Sequence, residues 1–239
     1  MDSFDFVCIS LLPRQDRRDK IQKVFEKLGI ADKIKWWIVQ KHPDGGIHGC
    51  FESHYSVWTC PEFTQSYLCI FEDDMSLNDL DATRFQDVLQ YTQSRGNKSS
   101  IINLEPSLGY KDRVVSAPNL QLWTGGFLHL GCYILDRHIL KDLAWLIRPY
   151  YGMDIDTALY NVWTQLGVFP PIFSQNPEDS DNSGGHRNIP GTKYVGAAYK
   201  RLVGSSKLFG RFNMEMAKAF SNVIVTLQNP PQLKDRRVK

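Results

Sequence analysis

The chain has 239 residues, of which 42% are apolar, 23% charged and 12% aromatic. That composition excludes a disordered or fibrous chain, and a chain of this length buries a core without staples. The net charge is only +2, no apolar run approaches the ~20 residues that cross a bilayer, and Met1–Phe6 lacks a leader's basic-then-apolar pattern.

Phe4–Leu12 is a short apolar run containing Val7 and Ile9 and predicts a buried strand ended by Pro13. Gln15–Leu28 predicts an amphipathic helix with Ile21, Val24, Phe25 and Leu28 on one face and Gly29 at its C-terminal cap. Ile34–Val39 predicts a second strand. Strand, helix and strand in this order open an α/β domain with parallel strands. A turn-rich loop, His42–Gly49, leads into a helix expected over Cys50–Cys60. Tyr67–Phe71 is apolar throughout and predicts an interior strand. It runs straight into Glu72-Asp73-Asp74.

Asp81–Ser94 reads as a helix and Ser99–Leu104 as a strand. Residues 106–127 read as loop-rich, with short strands near Val114 and Leu122. Leu130–Leu135 is a further strand, and Asp136 is placed to cap a helix running to about Ile147. Asp156–Leu166 reads as a helix. Residues 170–197 are rich in Pro, Gly, Asn, Ser and Asp, the composition of a loop that closes over a site. The expected organisation is one α/β domain over residues 1–197, a basic amphipathic helical section over 198–228 packed on it, and a disordered tail over 229–239.

Charge is unevenly spread. Residues 1–186 carry 17 Lys and Arg against 24 Asp and Glu, whereas residues 187–239 carry 11 against 2. A basic section of this kind faces solvent or an anionic partner such as a diphosphate or an acidic lipid surface. No nucleic-acid motif accompanies it, so nucleic acid is not expected as a partner. Peripheral membrane contact through Tyr199–Phe220 is one expectation. Cys8, Cys50, Cys60, Cys69 and Cys132 form no CxxC pair and sit among apolar or aromatic neighbours. This predicts buried free thiols in a reducing compartment, hence a cytoplasmic location.

The acidic triplet carries the most chemistry. In an open α/β sheet, ligands bind outside the carboxyl ends of the strands. Alternation along a strand puts Glu72 and Asp74 on one face and Asp73 on the other. Two readings fit: a strand end with an acidic cap on the next helix, or a hard oxygen site for Mn²⁺ or Mg²⁺ shared with a substrate diphosphate. Arg14, Arg17 and Arg18 follow the first strand at the same edge. They oppose the macrodipole of the helix they start, which fits either a solvated basic turn or a phosphate-holding task. His48 and His54 are poorly spaced as paired metal ligands, and Cys50 with His54 lacks a second ligand pair for zinc. His54, one turn before Trp58, reads as a hydrogen-bonded core residue or a substrate contact.

Gly46-Ile-His-Gly-Cys-Phe-Glu-Ser-His-Tyr-Ser-Val-Trp58 resembles the Gly-x-x-Gly-Cys-x-x-Ser-His-x-x-x-Trp segment of glycosyltransferase family 25. Further segments agree in order: Ile9-Ser10-Leu11 with Asp16-Arg17-Arg18, then Ile70–Asp74, Gly131–Leu135, Ile155–Leu159, and Gln175 with Ser180-Asp181. The resemblance spans roughly residues 7–182. It implies a GT-A-like, Rossmann-type mixed sheet flanked by helices. It also implies a UDP-sugar donor (usually UDP-galactose), a glycan or glycoconjugate acceptor, a divalent metal, and inversion at the anomeric carbon.

Carried over motif by motif, it places Glu72 and Asp74 on the metal. Ser10, Leu11, Arg14, Arg17, His54, Asp73 and Tyr133 fall on the donor. Asp156 is the leading general base and Asp154 the second candidate. His186, Arg187 and Lys193 are expected to close over the diphosphate. The chain departs from the family pattern at Ser10, at Glu52 and at His129-Leu130, where Gly-Thr is common. Those departures leave UDP-glucose or a UDP-N-acetylhexosamine open as donor. A catalytically inactive GT-A domain that binds a glycan or a partner is the reading from another class.

Overall fold

The computed structural model describes residues 2–77, 81–96, 100–106, 109–117 and 119–175. Of the loop expected over 170–197, residues 173–175 are a strand and residues 176–197, with His186, Arg187 and Lys193, lie outside the described residues, as do the basic section 198–228 and the tail 229–239.

The opening unit forms as the pattern predicts. β1 (Phe4–Leu11), α1 (Gln15–Leu28) and β2 (Ile34–Val39) are followed by α2 (Gly46–Thr59) and β3 (Tyr67–Glu72). β1 pairs in parallel with both β2 and β3. The carboxyl ends of these three strands therefore share one edge. Gly29 caps α1 in the left-handed conformation, its N–H reaching the last-turn carbonyls of Phe25 and Glu26. Gly is the residue that enters that conformation without a Cβ clash.

The sheet continues through β5 (Ile101–Asn103), β6 (Gly109–Ala117), β7 (Leu120–Phe127), β8 (Cys132–Asp136) and β9 (Gln165–Phe169). The strand order is β2-β1-β3-β8-β5-β9-β7-β6, with β8 antiparallel to both β3 and β5. This is the mixed, helix-flanked Rossmann-type sheet expected. A second small sheet pairs β4 (Met75–Leu77) with β10 (Phe173–Gln175).

Alternation along β1 and β3 divides the core in two. On one face Phe6, Cys8, Cys69 and Phe71 pack with α1 and α3 (Asp81–Arg95) through Ile21, Phe25, Phe85 and Val88. On the other, Val7, Ile9, Leu68 and Ile70 pack with α2, α4 (Leu140–Ile147) and α5 (Ile155–Val162) through Phe51, Trp58, Leu143 and Leu159. Among the described residues no helix is long and apolar enough to cross a membrane.

Four local expectations are corrected. The short strands expected near Val114 and Leu122 are the arms of one long antiparallel hairpin over residues 109–127, which leaves little of the expected loop. The helix expected over Asp156–Leu166 stops at Val162, because Gln165–Leu166-Gly167 join the sheet beside Ile101–Asn103. α2 begins at Gly46 rather than Cys50. Asp136 does not cap the following helix; its Oδ2 accepts from the Ser100 N–H and hydroxyl.

Candidate functional site

At the carboxyl ends of β1, β2 and β3 the structure opens a cleft, the place where open α/β sheets bind ligands. The strand ends supply Ser10, Leu11 and Val39, the β2–α2 loop Lys41 and His42, the first turns of α2 Gly46, Gly49 and Cys50, and the acid turn Glu72, Asp73 and Asp74. The acidic triplet thus stands in the cleft wall. The helix-cap alternative has no place, since β4 follows the turn.

The three acids do not alternate as strand residues. Strand geometry ends at Glu72, which continues the Leu68 and Ile70 face and meets α2. The turn then swings Asp73 and Asp74 to the same partner. Arg17 Nη1 donates to Asp73 Oδ1 at 3.0 Å and lies 3.8 Å from Asp74 Oδ2. Both carboxylates and the guanidinium are buried. Arg17 is therefore held by protein acids, and Arg18 by Ser10 Oγ at 2.8 Å and the Leu11 and Leu12 carbonyls. Arg14 is bidentate to Asp16 at the surface.

Burial raises the Asp73 carboxyl above its ordinary range against the pull of Ser10 and Arg17. Asp74 is raised to about 7 by burial and by Glu72, with Arg17 and Gln175 opposing. Asp74 Oδ2 accepts from the Gln175 side-chain amide at 3.0 Å, while its buried Oδ1 has no hydrogen-bond partner. An oxygen of that kind is costly in a folded chain and suits a cation.

Glu72 ends a proton-ordered chain. Trp58 Nε1–H donates to Tyr133 Oη at 3.0 Å, Tyr133 Oη lies 2.6 Å from His54 Nδ1, and His54 Nε2 lies 3.0 Å from Glu72 Oε1. An indole nitrogen only donates. One arrangement then pairs every proton: the tyrosine hydroxyl donates to Nδ1, and Nε2–H donates to Glu72. Burial pushes the Tyr133 hydroxyl far up, so it keeps its proton. Tyr133 and His54 are both buried, with Tyr133 behind His54 and away from the cleft wall. Cys50 adds a weak S–H donor to the same Glu72 oxygen at 3.7 Å.

The Cys50 sulfur, the His54 nitrogen and the Glu72 oxygen lie within 4.8 Å of one another and could hold a soft metal. The third ligand that Cys50 and His54 lack in the sequence comes from β3. Burial, with Glu72 beside it, keeps Cys50 a thiol, so this trio is complete as hydrogen bonds.

Beyond Glu72 the acids continue. Asp154 is the N-cap of α5, its side chain accepting from Asp156 N–H. Asp156 Oδ2 accepts instead from His129 N–H at 3.0 Å. Burial first, then Asp154, Glu72 and Glu105, raises the Asp156 carboxyl well above the ordinary range.

Glu105 was absent from the residues the sequence singled out. Its signal is the same one that marks Glu72: an acid closing an apolar strand, here Ile101–Leu104. Glu105 Oε1 accepts from Gln175 N–H at 2.8 Å, so Gln175 holds Asp74 and Glu105 together. Gly131 stands where a Cβ would run into Met75 Sδ and Glu105 Oε2, which explains a glycine at that point.

Burial raises Glu105 from 4.5 to about 8. The folded state then binds this proton more tightly than the unfolded chain does. Its contribution to stability is complete below pH 4.5 and is lost as pH rises through about 8. Glu105→Gln should remove that slope. In EDTA the variant should unfold at a higher temperature than the parent at pH 8.5 and not at pH 4.5, by on the order of 2–4 kcal/mol. Parallel melting curves for the two proteins across that range would refute the assignment.

α2, the acid turn, β8 and the start of α5 fall in one stretch of chain, and that stretch matches a sequence family of sugar transferases. The chain is a glycosyltransferase. Residues 41–157 match the model of glycosyltransferase family 25 (LPS biosynthesis protein). Among solved structures the chain is similar to a glycosyltransferase involved in the glycosylation of the major capsid of PBCV-1. The identity there is 10%, with 66% of this chain and 75% of that chain covered and a TM-score of 0.39. It is also similar to UDP-glucose pyrophosphorylase complexed with UDP-glucose, at 10% identity, with 72% of this chain and 74% of that chain covered and a TM-score of 0.41. No curated protein matches the chain.

Proposed function

We propose that this glycosyltransferase moves a hexose, galactose from UDP-galactose in the first instance, onto a hydroxyl of a glycan or glycoconjugate, with inversion and with a divalent metal. The observation that carries the reading is Asp74 Oδ1, buried without a partner in the wall of a cleft that also holds Glu72 and Asp73. Glu72 and Asp74 would hold Mn²⁺ or Mg²⁺, which when bound neutralises the charge of the departing diphosphate.

This chain's own residues supply the rest. α2 starts at Gly46 with no side-chain cap, and Gly46 and Gly49 line the cleft. A helix N-terminus presents unpaired N–H groups and the positive end of its dipole, a fit to a diphosphate. Ser10, Leu11 and Asp73 line the same cleft and would meet the nucleotide. His54 and Arg17 line the cleft, where they would meet the donor and hold Glu72 and the Asp73-Asp74 pair, while Tyr133 supports the site from behind His54.

Inversion asks for one base on the face opposite the leaving group. Asp156 suits it: Oδ2 is fixed by His129 N–H, which leaves Oδ1 for the acceptor proton, and its raised pKa gives it the proton affinity a base needs. Asp154 is engaged as a helix cap, which favours Asp156 of the two.

Thermal unfolding with UDP and Mn²⁺ tests the reading. At 100 times its dissociation constant the nucleotide should add about 2.7 kcal/mol, with Mn²⁺ required for the shift. No shift in any combination would favour a binding module over an enzyme.

A further inference from the structure

His129 lies between β7 and β8 with φ of 63°, in the left-handed region. A side chain there strains the backbone, yet His129 is not in a hairpin turn as Asn119, the other such residue among those described, is. Its backbone is pinned on both sides. The N–H donates to Asp156 Oδ2 at 3.0 Å, and the carbonyl accepts from Asn103 Nδ2 at 2.9 Å. Asn103 is fully buried and is itself anchored to Gln165 Oε1. The fold thus enforces the strained conformation from the core outward.

The residue is exposed at the surface, and no hydrogen bond to its ring forms among the described residues. It stands within electrostatic reach of Asp154 and Glu72. The Gly131 carbonyl, two residues on, accepts from Glu72 N–H at 2.7 Å, and with the His129 N–H on Asp156 this sets His129 between the acid turn and the start of α5. On the reading above, the space between those two holds the transferred sugar: the diphosphate sits on the Glu72 side and the base on the Asp156 side.

We propose that His129 is a specificity-determining residue whose imidazole hydrogen-bonds a hydroxyl of the transferred sugar. The proposal rests on the functional reading above. A neutral imidazole offers one donor and one acceptor, and a site that reads a hydroxyl this way discriminates against the epimer or the substituted sugar that cannot answer it. The backbone strain has a purpose on this view: it aims a side chain at a place the β7–β8 connection would otherwise leave bare.

The experiment compares the parent, His129→Gly and His129→Asn on UDP-galactose, UDP-glucose and UDP-N-acetylglucosamine. It measures donor hydrolysis without acceptor as well as transfer. Gly and Asn both accept the left-handed backbone, so both should fold, and Gly should melt at least as high as the parent.

The expected result is a preference for one donor in the parent that narrows tenfold or more in His129→Gly, in hydrolysis and transfer alike, with His129→Asn between. Three outcomes overturn the proposal. One is a preference that stays intact in both variants. Another is an equal slowing of all donors, which would make His129 only the backbone prop of Asp156. The third is unchanged hydrolysis with a rise in the acceptor KM alone, which would put the ring on the acceptor. If the parent turns over no nucleotide sugar and binds no UDP with Mn²⁺, the functional reading itself fails, an outcome distinct from these three.

Discussion

Asp156→Asn should bind UDP as the parent does and lose transfer by ~10²–10⁴-fold, the usual contribution of a positioned base. The asparagine is nearly isosteric, and its carbonyl oxygen can still accept from His129 N–H, so the left-handed turn at His129 and the start of α5 stay in place. What disappears is the second oxygen as a proton acceptor.

The same carboxyl predicts the pH dependence of the parent. Burial and the neighbouring Asp154 and Glu72 hold Asp156 above the ordinary carboxylate range. The active, ionised form therefore populates only as pH rises through that raised value, and kcat/KM should climb on the acid side of its profile. The asparagine variant should lose this limb along with its rate. Stability should not fall, since the substitution removes a charge that its surroundings disfavour. Full turnover by Asp156→Asn would end the base assignment and return attention to Asp154.

The parts of this molecule that were legible in its sequence are those where one local pattern decides the structure. Phe4–Leu11 is an unbroken buried run, Gln15–Leu28 carries a clean helical period and Ile34–Val39 is short and apolar, and each forms within a residue of its expected bounds. Glu72-Asp73-Asp74 stood out because charge follows an apolar strand without a break.

The full length of the hairpin over 109–127, beyond the short strands expected near Val114 and Leu122, was hidden for the opposite reason. It closes the sheet at an edge, so residues such as Lys111, Asp112, Arg113 and Val114 face solvent and blur the alternation. Gln165–Phe169 was hidden by its neighbour, since Leu159 and Leu166 continue a helical spacing that the sheet overrides. Gln165 is nonetheless fully buried, with its amide spent on the Phe127 carbonyl and Asn103.

In the site, the sequence pointed at His54 and Tyr133 but not at how they work. Their contact joins residues 79 apart, and no spacing rule spans that distance. Nor does any local pattern foretell that a turn after Glu72 places Asp73 and Asp74 on one arginine. Glu105 and His129 enter for the same reason: only the topology, with β8 between β3 and β5, carries them to the acid turn.

Arg17→Ala should be among the most destabilising single changes in the chain, at about 3–5 kcal/mol, the usual result of removing one partner from a buried ion pair. Arg17 is 4% exposed, and its Nη1 serves Asp73 at 3.0 Å and Asp74 at 3.8 Å. Both carboxyls already sit above their ordinary pKa because burial outweighs the guanidinium. Without it they rise further and take up protons, so the deficit should be smaller at pH 5 than at pH 8, where ionised carboxylates would stay buried without a cation. Urea denaturation at the two values measures this directly.

Two controls separate charge from packing. Arg17→Met with Asp73→Asn removes the pair together and should recover much of the loss, because neither charge then needs a partner. Mn²⁺ with UDP should recover part of the loss in Arg17→Ala alone, since a dication on Glu72 and Asp74 would supply positive charge to the same turn. A deficit below ~1 kcal/mol at pH 8, the scale of an exposed ion pair, would mean that water reaches this corner freely. The acid turn would then not be the desolvated, cation-seeking site that the proposed chemistry requires.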